Sequence, residues 1–284
     1  MQNIRSLLRN LRRRIKRITA PRETLATMQG GYRMRIRPHG DPLEMTLYMN
    51  GTYEPATLAA FDLILREGDI AVDVGANLGL MTLHAAKAVG ITGRVIAIEA
   101  HPRTFVRLRH NIDQNSFFNI TCVNLAAGSA EMERQIFEVP SMNIGRASLI
   151  PPAEDHRVGG ITTVKSLDRI LAEAGVTAPR LIKIDVEGFE AEVIKGATQT
   201  LGTLPIICME LVTSIPGEQG ADPLLAHDLV MQTGLFDCYR FSKTKFRASP
   251  LTKVGNRSEL ADFHDNLIYI APSVAETLPA NAFV

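Results

Sequence analysis

The segment from Ile70 to Ala100, IAVDVGANLGLMTLHAAKAVGITGRVIAIEA, constrains the fold more than any other part of the chain. It reads as strand, glycine turn, helix and strand, with an acid placed at the end of each strand. Ile70 to Val74 is a short apolar run suited to a buried parallel strand. Leu78 to Val89 has the length and small side chains of a crossover helix, and Arg94 to Ile98 is the next strand. Gly75 and Gly79 permit a tight turn and close approach of backbone to a ligand, while the helix start presents unpaired amides. A unit of this kind holds its ligand beyond the carboxyl ends of its strands.

The chemistry of the turn narrows the ligand. A dinucleotide fingerprint, G-x-G-x-x-G, rests a diphosphate on the helix start. Here the turn is Gly75-Ala76-Asn77-Leu78-Gly79, with Asn77 in place of the middle glycine and Asp73 just before it. A carboxylate at Asp73 opposes a phosphate and favours a cation such as a methionyl amino group. Glu99, followed by Ala100, suits the paired hydroxyls of a ribose, because an ionised carboxylate accepts two hydrogen bonds at once. Together these features predict S-adenosylmethionine as cofactor. Asn124 ends the third strand beside Glu99, so it, Leu125 and Ala126 are expected near the adenine. Tyr53 and Glu54 are candidates for the cofactor entrance.

At 284 residues and 45% hydrophobic content, the chain suits one large α/β domain with appendages. The net charge of +1 is unevenly spread. Residues 1–20 hold seven Lys or Arg and no acid, leaving 24 basic and 30 acidic groups over the other 264 residues. An acidic body lacks the basic face that a nucleic-acid partner needs. Within MQNIRSLLRNLRRRIKRITA the apolar residues Ile4, Leu7, Leu8, Leu11, Ile15 and Ile18 fall on one helical face opposite the arginines. For this arm four readings stay open, peripheral contact with an anionic membrane surface, a solvated helix packed on its own domain, a disordered tail and an organellar presequence, while no apolar run is long enough to span a bilayer. Cys122, Cys208 and Cys238 are odd in number, lack metal-site spacing and lie in apolar or aromatic runs. They read as buried thiols, which favours a cytoplasmic compartment, with any membrane contact at the inner face.

Four regions are expected: the basic arm at 1–20, a hairpin and helix at 21–66, the catalytic domain at 67–272 and a tail at 273–284. Tyr32 to Arg37 and Leu43 to Met49 alternate as two antiparallel strands around Pro38-His39-Gly40-Asp41-Pro42, and Ala56 to Arg66 forms a helix. Downstream, the pattern predicts helices over Pro102–Gln114, Ile161–Gly175 (after a short strand), Glu190–Leu201 and Leu224–Gly234. Strands are predicted at Ile120–Leu125, Glu131–Val139, Leu181–Ile184, Ile206–Met209, Phe236–Phe241 and Asn266–Ile270. Pro140 to Gly160 reads as a long loop of the kind that covers substrates.

The motifs GTYEP, GDIAVDVGANLG, VIAIEAHPRTFVRLRHNIDQN, VNLAAG, TVKSLDRIL, LIKIDVEGFEAEVIKGA and CMEL, spread over about residues 50–272, resemble the FkbM-type S-adenosylmethionine-dependent methyltransferases. The resemblance implies the class I methyltransferase (Rossmann-like) sheet, seven mostly parallel strands with the last antiparallel. It also implies O-methylation of a hydroxyl on a sugar, glycolipid or polyketide. Ala100-His101-Pro102 departs from the Glu-Pro that members often carry, and Gly145 to Leu149 only loosely follows a Ser-rich stretch.

A sulfonium methyl is already electrophilic, so the protein must mainly align the acceptor oxygen and remove its proton. Asp185, which follows the fourth core strand, is the first candidate for orienting the cofactor or acceptor and for acting as base. Glu187 and Glu210 are the alternatives, each near a strand carboxyl end. Asn143, Arg146, Ser148 and His156 of the long loop are candidates for holding a small-molecule, glycan or lipid-linked acceptor. His84, in the first crossover helix, reads as a core residue. The three acids could suit Mg²⁺, but the histidines are dispersed, and no metal is expected. Two other readings remain open: an NAD-dependent oxidoreductase, which Asp73 and Asn77 disfavour, and a catalytically silent scaffold docked on a membrane.

Overall fold

The structure is a computed structural model that describes residues 14–139, 147–151, 155–213 and 222–284. Its strands, in chain order, are β1 (Thr24–Thr27), β2 (Arg33–Ile36), β3 (Ile70–Val74), β4 (Arg94–Ile98), β5 (Ile120–Val123), β6 (Ala126–Gly128), β7 (Met132–Glu138), β8 (Arg157–Ser166), β9 (Leu181–Ile184), β10 (Ile206–Val212), β11 (Asp237–Phe241), β12 (Leu251–Lys253) and β13 (His264–Ile270). The helices are α1 (Pro42–Asn50), α2 (Pro55–Ile64), α3 (Leu80–Val89), α4 (Pro102–Asp113), α5 (Leu167–Glu173), α6 (Glu190–Lys195), α7 (Thr198–Leu201), α8 (Leu225–Gln232) and α9 (Pro272–Ala275).

The central sheet has the order β12-β11-β13-β10-β9-β3-β4-β5. From β5 to β10 the strands are parallel, and β13 is antiparallel to both β10 and β11. This is the class I methyltransferase arrangement with one addition, the short edge strand β12. The parallel strands are buried almost throughout because helices cover both faces, which explains their unbroken apolar runs. The order reverses at β3, whose neighbours are β4 and β9, and ligands in open α/β sheets bind at that point.

One expected strand is a helix. The segment from Leu43 to Met49 lies in α1, not in a hairpin, because Pro42 occupies the first turn and the Asp41 side chain accepts a hydrogen bond from the Leu43 amide at 2.6 Å. Gly51, in the left-handed region with φ 68°, closes the helix. The strand partner of β2 is instead β1. The N-terminal elements are packed onto the sheet domain: Met28, Tyr32, Met34, Ile36 and Leu47 share a core with Leu83, Ala97 and Leu108.

The expected helix over Glu190–Leu201 is split into α6 and α7 at Gly196, where a Cβ would lie 1.8 Å from the Gly128 carbonyl oxygen. β8 begins at Arg157, earlier than expected, and pairs with β6 and β7 in a second sheet. The long loop is shortened accordingly, and the Ser148 backbone bridges Phe137. Near the C-terminus Phe283 bridges Leu251, and its ring packs on Tyr239 at 5.2 Å. Residues 14–18 are helical with Ile15 and Ile18 exposed, and the rest of the basic arm, residues 1–13, lies outside the described residues. Among the described residues no helix is long and apolar enough to cross a membrane.

Candidate active site

The turn after β3 is fastened to the end of β4. The amides of Gly75 and Ala76 both donate to the Ile98 carbonyl, at 2.9 and 3.0 Å, and the Asn77 amide donates to Glu99 Oε2 at 2.8 Å. Gly75 has φ 85°, and a Cβ there would lie 1.8 Å from the Asp185 carbonyl oxygen, so only glycine lets the loops after β3 and β9 meet. Four non-glycine residues among those described are also left-handed: Leu204, before β10, with φ of 59°, and three at this edge of the sheet, Glu54, Asn77 and Glu187, with φ of 47°, 49° and 51°. All three line one cavity. Such backbone strain gathers where geometry is held for function.

Two cavities open at the carboxyl edge of the sheet and share Gly75, Asn77, Asp185 and Glu187. The first is a narrow slot with apolar walls from Ile98, Leu125, Ile136, Leu149 and Phe189, and with Glu99 at its base. The second, of about 580 Å³, is more polar and holds Glu54, Asp73, Lys183, Asp185, Glu210 and Lys245. Tyr53 and Phe246 form one wall of it, with ring centroids 5.5 Å apart and nearly perpendicular.

Glu99 is 8% exposed and accepts one backbone amide on each oxygen, from Asn77 and from His101, both at 2.8 Å. Each oxygen keeps a lone pair, so the carboxylate is fixed in orientation yet able to receive two hydroxyls. Burial pushes its pKa up to about 7, against the two amide hydrogen bonds. His101 caps α4: its Nδ1 accepts the Arg103 and Thr104 amides, and its Nε2 lies 2.6 Å from Glu138. Burial works against the Glu138 charge, but hydrogen bonds from Arg103, His101 and Arg157 hold it down near about 2.

The second cavity holds a buried charge cluster. Burial raises Asp73 to about 6, opposed by the Thr82 hydroxyl that donates to it. Lys183, 2% exposed in the middle of β9, reaches Asp185 Oδ2 at 3.2 Å. Lys245 Nζ lies 2.8 Å from Glu54 Oε1 and also pairs with Glu210. The loop carrying Lys245 is pinned by its own amide, which donates to Asp265, and by its carbonyl, which accepts from Ala56 at 3.0 Å. Burial disfavours ionised Asp185, yet Lys183, a hydrogen bond from Glu210 and Lys245 draw it down to about 2. Glu210 is pushed well above the usual carboxylate range by burial and then by the Asp185 charge.

The cofactor and catalytic residues expected from the sequence therefore converge. Glu54, Asp73, Gly75, Ala76, Asn77, Asp185, Glu187 and Glu210 line the polar cavity, and Glu99, Ala100, Ala126 and Ser148 line the slot. The Ser148 hydroxyl donates to the Glu187 carbonyl at 2.8 Å, tying the long loop to the turn after β9. Three residues lie apart from both cavity linings. Gly79 begins α3 against Leu108, Asn124 donates to the Glu99 carbonyl at 2.8 Å, and the His156 ring packs edge-on against Phe137. Asn143 and Arg146 lie outside the described residues. His84 is buried and lies 2.9 Å from Asp62. Among the described residues no group of three or more His, Cys, Asp or Glu side chains is set to hold a metal ion.

Sequence reasoning passed over Lys183 and Lys245. The first had a signal: a lysine inside LIKI, an otherwise apolar strand, needs a buried partner. The second sits in an irregular loop, where nothing in the spacing marks it.

Residues 73–236, more than half of the chain, match the methyltransferase FkbM domain. The chain belongs to the FkbM methyltransferase family. It is 30% identical over 161 residues to the hexuronic acid methyltransferase AglP of Haloferax volcanii, covering 55% of this chain and 59% of that protein. It is also 30% identical over 159 residues to the 31-O-demethyl-FK506 methyltransferase FkbM of Streptomyces tacrolimicus, covering 46% and 60%. The FkbM-family chain thus spans about three fifths of the length of these two relatives. An O-methyltransferase structure from Bacillus cereus superposes with a TM-score of 0.46 at 13% identity, covering 78% of this chain and 82% of that one. So loose a likeness says nothing about the reaction.

Proposed function

We propose that this FkbM-family protein transfers the methyl group of S-adenosylmethionine to a hydroxyl of a sugar-type acceptor. The observation that carries the reading is the junction of the two cavities at Gly75 and Asp185. The apolar slot, with two lone pairs of Glu99 at its base, fits an adenosine. The acids Asp73 and Asp185 beyond the junction fit the cationic methionyl end. Held there, S-adenosylmethionine would supply an electrophilic methyl group, with its thioether sulfur as the leaving group that keeps the C–S electron pair.

The chain's own task is then to hold the acceptor oxygen in line and receive its proton. Asp185 and Glu187 line both cavities, and Glu210 lines the polar one. The Tyr53–Phe246 wall offers ring faces and edges to the C–H surface of a sugar, and the charged floor offers hydrogen bonds to its hydroxyls. The name of the Haloferax relative makes uronic acids the first acceptors to assay. Radiolabelled methyl transfer to a panel of free and lipid-linked sugars tests the reading. Failure of the protein to bind S-adenosylmethionine, or transfer only to nitrogen or carbon acceptors, overturns it.

The basic segment before residue 21 is proposed to rest on anionic lipid, where a lipid-linked acceptor would be met. Flotation with anionic vesicles should fall when residues 1–20 are removed. Equal flotation of the two forms rejects this part.

A further inference from the structure

Three buried side-chain atoms have no hydrogen-bond partner among the described residues: Thr104 Oγ1, Asn119 Oδ1 and Asn266 Oδ1. Of these residues only Thr104 lines a cavity of the candidate site, the apolar slot. It is 2% exposed and stands in the first turn of α4, just after the His101 cap. A buried hydroxyl left unpaired costs stability, and the cost is recovered when a ligand atom pairs with it.

The other polar side chains that line the slot but not the second cavity are engaged. Glu99 holds the Asn77 and His101 amides, and its remaining lone pairs are proposed to take the ribose. His101 accepts two amides at Nδ1 and meets Glu138 at Nε2. The Ser148 hydroxyl donates to the Glu187 carbonyl and accepts the Ile150 amide at 3.1 Å. Asn77, Asp185 and Glu187 lie at the junction with the polar cavity. A base lying between Leu125, Ile136, Leu149 and Phe189 would thus meet Thr104 as the polar side chain still open to it.

We propose that the Thr104 hydroxyl donates to a ring nitrogen of the cofactor's adenine. The inference rests on the S-adenosylmethionine reading above and names the side chain that recognises the base. The direction of the bond follows from the helix. Amides at the start of α4 set positive potential around Thr104, which favours an electron-rich ring nitrogen over the N–H edge of the 6-amino group. The hydroxyl has one proton to give, and no acceptor takes it in the ligand-free protein.

Calorimetric binding of S-adenosylhomocysteine to the full chain tests the assignment. Thr104→Val keeps the shape and removes the hydroxyl, so affinity should fall about fivefold or more. Thr104→Ser keeps a hydroxyl and should stay within about threefold of wild type. Ligand-free Thr104→Val should melt no lower than wild type, because it loses an unpaired buried group, whereas a threonine needed only for packing would lower melting and affinity together. Analogues in which C–H replaces ring nitrogen 1, 3 or 7 identify the partner atom. One of the three should bind wild type about fivefold or more weakly than S-adenosylhomocysteine, and that loss should vanish in Thr104→Val.

Equal affinity of wild type and Thr104→Val for S-adenosylhomocysteine overturns the proposal, as do analogue losses that are the same in both proteins. Thr104→Ala takes the place of the valine form in both comparisons if that form does not fold. If wild type binds neither S-adenosylmethionine nor S-adenosylhomocysteine, the cofactor assignment falls and takes this inference with it. Wild-type binding with an unaltered valine variant removes Thr104 alone.

Discussion

Lys245 Nζ lies 2.8 Å from Glu54 Oε1, with the two side chains 4% and 3% exposed. Glu54 is fixed in turn by the Asn266 amide at 2.8 Å and the Thr57 hydroxyl at 3.1 Å. Through this contact a loop between β11 and β12 becomes part of a site otherwise built from strand ends.

Lys245→Met leaves Glu54 and Glu210 buried without their cation. Removing one partner of a buried pair typically costs about 3–5 kcal/mol, and a loss of that size is expected in urea unfolding. A change below about 1 kcal/mol would show that the pair behaves as a solvated one.

Glu99→Ala removes the proposed ribose acceptor together with the anchor of the Asn77 amide. S-adenosylhomocysteine should bind at least about fivefold more weakly, corresponding to about 1 kcal/mol or more. Unchanged affinity by calorimetry takes Glu99 out of the cofactor site.

Gly75→Ala combines a positive φ with a contact of 1.8 Å to the Asp185 carbonyl. A destabilisation of about 2 kcal/mol or more is expected, with loss of cofactor binding. Wild-type melting and affinity would mean that the two loops can separate freely.

Asp185→Asn keeps the shape of the side chain and removes its charge. Methyl transfer to a hydroxyl should fall by about tenfold or more, with the fold retained but the melting temperature lowered, because the buried Lys183 loses its counter-charge. Full turnover on a confirmed acceptor would sink the catalytic assignment.

Glu190 is buried and its carboxylate accepts the Val186 and Gly188 amides, closing the turn that carries Asp185 and Glu187. Burial pushes it up to about 7, so the folded protein holds a proton that the unfolded chain gives up near 4.5. Stability is therefore greatest below about pH 4.5 for this group and declines as pH rises to about 7, by at most roughly 3 kcal/mol. Glu190→Gln should flatten that decline in unfolding measurements. An unaltered pH profile would place the titration elsewhere.

The βαβ unit was legible because its signals are local. Strand runs Ile70–Val74 and Arg94–Ile98 match the structure residue for residue, and Gly75 and Gly79 stand where positive φ is needed. The acids at the strand ends were legible for the same reason, since topology alone carries them to one edge. The segment Leu43–Met49 misled because Leu43, Met45, Leu47 and Met49 alternate as in a strand, while the Asp41-Pro42 helix start outweighs that pattern. Lys245 was hidden because its position depends on long-range contacts with Asp265, Ala56 and Glu54, which no period or spacing encodes.

The left-handed backbone at Glu54, Asn77 and Glu187 has a consequence for engineering. Each position holds its chain in a region that non-glycine residues enter at a cost of about 1–3 kcal/mol. Glycine at Asn77 or Glu187 would relieve that cost, so a screen for heat resistance alone would tend to select it there, whereas at Glu54 it would also strand the buried Lys245. The same exchange would delete a carboxylate or amide from the cavity and loosen the turn beneath it. Variants selected for thermal tolerance should thus drift towards weaker methyl transfer unless the codons for Asn77 and Glu187 are held fixed.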